Sequence, residues 1–321
     1  MNSLDIIAVA SRSFSKNQSL VRSLEAKYSK VIFNNTGKTL QNQELVHFLS
    51  SADKAIIGIE QMSSEVLKQL PKLKVISKYG VGINNLDLAS LKSKGVKLGF
   101  TPGVNKQSVA ELALTLTLLS LRKIHRNHTE IVEGTWSQEK GAELFGKTVG
   151  LLGFGNIGQK FASLLQSFNC PIIFFDEKIF SNQELLTISK ELGLKSDAIQ
   201  QDKLGVVLSQ ADILSIHLPL LPDTENMISS KELNLLKPSV SIINTARGGI
   251  VDETALHAFL SNNPDSFASF GVFSEEPALE NPLFELPNFF GTSHRSSLTH
   301  EGIIAMGLAA IAGLDDNKIL T

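Results

Sequence analysis

Short unbroken aliphatic runs alternate along the chain with longer stretches whose apolar residues recur every three to four positions. The first half carries IIAVA (6–10), VIF (31–33), AIIGI (55–59), VISKYG (75–80) and VKLGF (96–100). Between them, Leu20, Leu24 and Ala26, and then Leu45, Phe48 and Leu49, have helical spacing. Apolar runs without period-two alternation are buried on both faces, as in a parallel sheet. Their alternation with helices predicts right-handed crossovers and an α/β, doubly wound fold. A second series follows a break: TVGLLGF (148–154), IIFFD (172–176), ILSIHLP (213–219), SIINTAR (241–247), FASFGVF (267–273) and FFGTS (289–293). Two such domains in tandem are therefore expected. The turn at 101–103 marks a boundary, and a long helix runs from Lys106 to about Arg122. A last helix over 298–314 is expected to rest back on the first domain, and the polar stretch 180–201 reads as an irregular surface excursion.

Composition narrows the function. The 321 residues are 42% hydrophobic and 19% charged, enough apolar material for two cores and too much for a disordered chain. Thirty basic and 32 acidic residues give a net charge of −2, so no basic field draws the chain to nucleic acid. The single cysteine, Cys170, rules out an intrachain disulfide and a cysteine-rich metal site, and no metal is expected. A reducing, cytoplasmic setting follows as the expectation. The N-terminus lacks a basic n-region, and the longest greasy stretch, 109–121, carries Glu111 and is shorter than the ~20 residues a bilayer needs, so no membrane association is expected.

The strongest local motif is Gly153-Phe154-Gly155-Asn156-Ile157-Gly158, which follows a strand and opens a helix over 159–168. Gly153 permits the tight turn, Gly155 lets the backbone approach a pyrophosphate, and Gly158 lets helix and strand pack closely. The helix N-terminus then offers free N–H groups and a positive dipole end to phosphate. Asp176 ends the next strand, eighteen residues past Gly158, where a carboxylate accepts both ribose hydroxyls and repels a 2′-phosphate. NAD is thus favoured over NADP, and the domain is Rossmann-like.

Ligands of an open α/β sheet bind beyond the carboxyl ends of its strands. Three ionisable residues of the second half fall there: Arg247 at the end of SIINTAR, Glu276 three residues after GVF, and His294 after FFGTS. A guanidinium suits bidentate capture of a carboxylate, an imidazole carries protons near neutral pH, and a neighbouring carboxylate orients it. Cation, base and orienting acid beside a nicotinamide are what carbonyl reduction requires. His217, at another strand end, is expected to line the adenine side; the remaining histidines receive no role.

Over nearly its whole length the chain resembles the D-isomer-specific 2-hydroxyacid dehydrogenases. The resemblance rests on SKYGVGINNLD (77–87), TPGVNKQSVAEL (101–112), GKTVGLLGFGNIG (146–158), HLPLLPDT (217–224), LKPSVSIINTARGGIVDE (236–253), VFSEEP (272–277) and TSH (292–294). It implies His294 as acid/base, Glu276 as its partner and Arg247 as the anchor of the 2-oxo acid. It implies backbone amides of Tyr79, Gly80, Val81 and Gly82 on the substrate carboxylate, with Val81 near the nicotinamide. Asn156, Ile157, Asp176, Leu218, Pro219, Thr245 and Ala246 match cofactor contacts. It further implies a discontinuous, flavodoxin-like substrate domain (1–103 and 295–321), an NAD-binding domain (104–294), substrate entry between the domains and a homodimer through the NAD-binding domains. The chain departs from the family at Gly271, where Asp usually touches the carboxamide. It also has Ser293 in place of Pro, Arg295 in place of a small residue, and Asn84 in place of Asp.

Within the family, GIEQMSSEVL (58–67) and SKYGVGINN most resemble the 3-phosphoglycerate dehydrogenase branch, whose C-terminal regulatory domain is expected to be absent because the sequence ends at Thr321. Lys78 stands where that branch often has an arginine for the phosphate. Interconversion of 3-phospho-D-glycerate and 3-phosphohydroxypyruvate is the first expectation. Glyoxylate/hydroxypyruvate reduction and a non-catalytic NAD(H)-sensing scaffold, like the family's corepressors, are the alternatives.

Overall fold

The computed structural model describes residues 4–194 and 198–319. Residues 1–3 and 320–321 of the expected substrate domain, and 195–197 of the polar stretch, lie outside the described residues. The chain divides into one unit of Met1–Asn105 with Ser297–Thr321 and another of Lys106–Ser296, each boundary two residues beyond the expected one.

The first unit holds β1 (Ile7–Val9), β2 (Val31–Phe33), β3 (Lys54–Ile57), β4 (Val75–Lys78) and β5 (Lys97–Gly99) in the order β2-β1-β3-β4-β5. All neighbours are parallel. Successive residues enter opposite cores. Ile7, Val9 and Ile56 pack with Phe14, Leu20 and Leu24, whereas Ala8, Ala55 and Ile57 pack with Leu45, Leu49 and Leu67. Burial on both faces is why β1, β3 and β4 lack polar alternation, whereas the edge strand β2 is only part-buried. The closing helix, His300–Gly313, belongs to this unit and adds Ala310 and Ile311 to the first core. Its Gly307 is required there, since a Cβ would stand 2.3 Å from Leu20 Cδ1. Just beyond the helix, Asp315 accepts from Tyr28 Oη at 2.8 Å and pairs with Lys27 and Lys54, each at 2.9 Å. Burial raises its pKa, but these bonds prevail and hold the carboxyl down at about 2.

The second unit holds β6 (Val149–Leu152), β7 (Ile172–Phe175), β8 (Ile199–Gln200), β9 (Ile213–Ile216), β10 (Ser241–Asn244), β11 (Phe267–Phe270) and β12 (Phe289–Gly291). They form one parallel sheet in the order β12-β11-β10-β9-β6-β7-β8. Strand order reverses between β6 and β9, the crevice at which doubly wound sheets take ligands. The long helix runs Lys106–Leu121 and covers one face through Ala110, Ala113 and Leu116, with Ser120 Oγ hydrogen-bonded to Ser269 Oγ of β11 at 2.9 Å.

The polar stretch 180–201 is not irregular. A helix spans Asn182–Leu192, opened by a capping box in which Ser181 Oγ accepts from Glu184 N and Glu184 Oε2 accepts from Ser181 N at 2.8 Å. Gly193 (φ 70°) ends it, and β8 pairs with β7. Leu185, Ile188 and Leu192 turn one stripe onto the core, so the polar majority is only the solvent face.

Candidate active site

The glycine turn follows β6. Gly153 sits at φ 94°, and a Cβ there would lie 2.9 Å from the His217 carbonyl carbon and oxygen, so both conformation and space demand glycine. Gly155 is the N-cap of the Asn156–Leu164 helix, and no side chain caps it. The first N–H groups, those of Asn156 and Ile157 among them, are thus left for a ligand. Nothing lies within 4 Å of a Cβ built on Gly155, while one on Gly158 would stand 2.3 Å from Gly153 O. The turn is therefore open on its outer side and closed against the sheet on its inner side, a cradle that fits a pyrophosphate.

Asp176 directly follows β7. Its Oδ2 accepts from Phe154 N at 2.6 Å and its Oδ1 from Lys178 N at 2.9 Å. Each oxygen retains a second lone pair for a ribose hydroxyl. Leu218 and Pro219 follow β9, with Leu218 Cδ2 3.2 Å from the Gly153 Cβ position. Thr245 and Ala246 follow β10, and both are buried. The cofactor residues expected from the sequence thus all stand at the carboxyl ends of β6, β7, β9 and β10, around the point where strand order reverses.

His217, expected on the adenine side, turns its ring inward. Its ring packs beneath the turn, 5.5 Å from Phe161 and hydrogen-bonded through Nε2 to Ser215 Oγ at 2.9 Å. Burial pushes its pKa down to about 3, so the ring is neutral. Its position at the foot of the glycine turn, rather than the chemistry of histidine, decides its role.

The catalytic candidates converge on the same edge of this unit. Asn244, fully buried at the end of β10, accepts from Ala246 N at 3.0 Å and donates to Arg247 O at 2.9 Å, folding the turn that presents Arg247. Arg247 is part-buried, and its Nη1 donates to Ala246 O at 2.6 Å. Burial lowers its pKa and the nearby Glu276 charge raises it again. Most of its five N–H donors are left for a ligand. Glu276 Oε1 accepts from Phe273 N at 3.0 Å, and Oε2 meets His294 Nδ1 at 2.7 Å. That bond assigns the Nδ1 proton to the carboxylate side and leaves Nε2 to exchange a proton with a substrate. The His294 side chain is half-exposed, at 49%, as a group that meets substrate must be. His294 also sits at φ 46°, a left-handed backbone uncommon outside glycine and a strain typical of functional positions.

Two positioning residues escaped the sequence reading. Glu253 Oε1 accepts from Ser274 N at 2.7 Å and its Oε2 from Asn281 Nδ2 at 2.6 Å, fastening the loop that carries Glu276. Gly248 lets the arginine turn touch that loop, since a Cβ would lie 1.9 Å from the Phe273 carbonyl carbon. Both belong to the run GGIVDE, but their partners lie more than twenty residues away and no local pattern discloses them.

The substrate candidates lie in the other unit. Tyr79 N donates to Ile57 O at 2.8 Å, and its ring meets Phe14 edge-on at 5.5 Å. Gly80 has φ 122°, and nothing lies within 4 Å of a Cβ there. Val81 and Gly82 continue this part-buried turn beyond β4. Lys78 is buried at 6% exposure and its Nζ donates to Gly58 O, so its ammonium points into the fold, not outward as an exposed phosphate-binding cation. Among the described residues no cluster of His, Cys, Asp and Glu could hold a metal ion, and no helix is long and apolar enough to cross a membrane.

A dinucleotide cradle, a guanidinium and a carboxylate-held imidazole thus share one sheet edge of this unit. Residues 114–296 match the D-isomer specific 2-hydroxyacid dehydrogenase NAD binding domain. The chain belongs to this family, whose cofactor is NAD. It is 33% identical over 271 residues to D-3-phosphoglycerate dehydrogenase of Methanocaldococcus jannaschii, covering 84% of this chain and 50% of that protein. It is 32% identical over 282 residues to hydroxypyruvate reductase of Thermotoga maritima, covering 86% and 88%. A crystal structure of a candidate D-isomer specific 2-hydroxyacid dehydrogenase from a Polaromonas species superposes with a TM-score of 0.85 at 25% identity, covering 98% of this chain and 96% of that one. The chain spans about half the length of the phosphoglycerate dehydrogenase it matches.

Proposed function

We propose that the protein interconverts a D-2-hydroxy acid and its 2-oxo acid. The observation that carries this reading is the 2.7 Å bond between His294 Nδ1 and Glu276 Oε2 beside Arg247, at the ligand-binding edge of an NAD-binding sheet. Bound NAD(H) supplies or accepts the hydride. Arg247 holds the substrate carboxylate and polarises the carbonyl, while His294 Nε2 gives the carbonyl oxygen its proton in reduction and removes it in oxidation. Glu276 keeps the imidazole oriented through that exchange. The turn of Tyr79, Gly80, Val81 and Gly82 is assigned to the substrate carboxylate on the family resemblance.

The inward Lys78 favours an acid without a phosphate, glyoxylate or hydroxypyruvate, over 3-phosphohydroxypyruvate. A dianion needs exposed or preorganised cations, and this ammonium is already engaged with Gly58 O. NADH oxidation followed at 340 nm with these three acids tests the proposal. Hydroxypyruvate or glyoxylate should give the highest kcat/KM, and Lys78→Ala should weaken all three acids alike. A tenfold preference for 3-phosphohydroxypyruvate that Lys78→Ala abolishes would reverse the assignment. Activity on none of the three would favour the non-catalytic scaffold.

The homodimer belongs to the same proposal. The Ile124–Val132 helix buries none of its residues, and Val132 and the nearby Trp136 are 72% and 80% exposed. Ile124 and Ile131 of the same helix are exposed as well, and such unburied apolar side chains suit a second copy. Light scattering should return twice the chain mass, and Val132→Asp with Trp136→Ser should return it to the monomer. A monomeric parent protein would refute the dimer.

A further inference from the structure

The turn beyond β4 is gripped at both ends. At its start Tyr79 N donates to Ile57 O at 2.8 Å. At its end Leu86 bridges Met62 in parallel, with Met62 N donating to Asn85 O at 2.8 Å and Asp87 N to Met62 O at 3.0 Å. Among the described residues, the N–H groups of Gly80, Val81, Gly82, Ile83 and Asn84 donate to no protein acceptor. A run of uncommitted N–H groups in one turn receives an anion, and does so better when its shape is set in advance. The side chain of Asn85 closes this run. Its Nδ2 donates to Glu60 O at 2.6 Å and to Gly58 O at 3.1 Å, both in the loop after β3. That loop is itself fixed: Glu60 is 1% exposed, its Oε2 accepts from Gly58 N at 2.7 Å, and Gly58 O also accepts from Lys78 Nζ. An amide nitrogen carries two N–H donors, one for each carbonyl, and no other side chain of this length offers both from one atom.

We propose that Asn85 is a positioning residue for substrate binding: it ties the turn of Tyr79, Gly80, Val81 and Gly82 to the buried corner at Gly58 and Glu60, and so holds the free N–H groups in the arrangement that receives the substrate carboxylate. This rests on the assignment of that turn to the carboxylate and adds the residue that sets its shape. The amide N–H groups of Asn85 are spent on two carbonyls, so the residue acts through the turn. Without that amide, the backbone bonds of Met62 with Asn85 and Asp87 remain, so the chain beyond the turn keeps its course while the turn loses its anchor at Gly58 and Glu60. Ordering a loosened turn again at each binding event weakens ground state and transition state alike, which raises KM and spares kcat.

Glyoxylate reduction and titration of oxamate, a 2-oxo acid analogue, against the NADH complex test the proposal; oxamate reads the carboxylate contact without turnover. The proteins are the parent, Asn85→Ala, Asn85→Ser (which keeps one donor) and Gly80→Ala, which strains the turn itself at φ 122°. Asn85→Ala should raise the glyoxylate KM and the oxamate dissociation constant by about tenfold, with kcat and NADH affinity within a few-fold of the parent. Asn85→Ser should fall between the two, and Gly80→Ala should raise both constants at least as far as Asn85→Ala. Parent-like KM and oxamate binding in Asn85→Ala, beside weakened binding in Gly80→Ala, would overturn the role of Asn85 alone. A fall in kcat or NADH affinity as large as the rise in KM would also overturn it, because general disorder of the fold, and not a loosened turn, gives that pattern. Unchanged oxamate binding in Gly80→Ala would remove the turn from the substrate carboxylate, and the proposal with it.

Discussion

Arg247→Ala should lower kcat/KM for 2-oxo acid reduction by about 10²- to 10³-fold, the range seen when one preorganised donor to a developing oxyanion is removed. The NADH dissociation constant should stay within a few-fold of the parent value. The reason lies in the arginine's place: its turn is fixed by Asn244, its guanidinium is part-buried beside Glu276, and a hydrogen bond to Ala246 O engages it. Arg247→Lys should recover little, because an ammonium restores charge without the planar fork. Stopped-flow turnover with parallel NADH titration separates the two quantities. Intact kcat/KM in Arg247→Ala would remove the residue from the mechanism.

Two alanine substitutions in the glycine turn should behave differently, although they lie three residues apart. At Gly155 a Cβ meets no atom within 4 Å, so Gly155→Ala should fold with an unchanged unfolding temperature yet bind NADH at least 100-fold more weakly, its methyl occupying space a pyrophosphate needs. At Gly158 a Cβ would stand 2.3 Å from Gly153 O, a backbone atom that cannot rotate away. Gly158→Ala should therefore destabilise the unit by ~1–3 kcal/mol as well as lose NADH binding. Thermal unfolding and NADH titration read both effects. Equal unfolding temperatures for the two variants would show that the helix does not press on the turn as described.

The legible part of this protein was periodic or punctuated. Uninterrupted aliphatic runs announced doubly buried parallel strands, and Ile7, Ala8 and Val9 do enter opposite cores in turn. Capping chemistry was equally local. Ser181, Glu184 and Gly193 mark both ends of the Asn182–Leu192 helix, although its polar majority masks the three-residue apolar stripe. Side-chain direction was not legible. Lys78 and His217 both follow from strand positions, yet one ammonium bonds Gly58 O and one imidazole lies under a glycine turn. Nothing within a few residues of either determines that.

By itself the sequence determined the class of fold, the dinucleotide turn and the types of residue that end the strands, because each depends on steric and hydrophobic preferences spanning a few neighbours. Only the tertiary structure decided that Glu276 reaches His294 across eighteen positions and that Glu253 and Gly248 fasten the loop that carries Glu276. Those relations depend on which strand ends the sheet sets side by side. Strand order arises from crossover and burial summed over the whole unit, and no segment carries it alone.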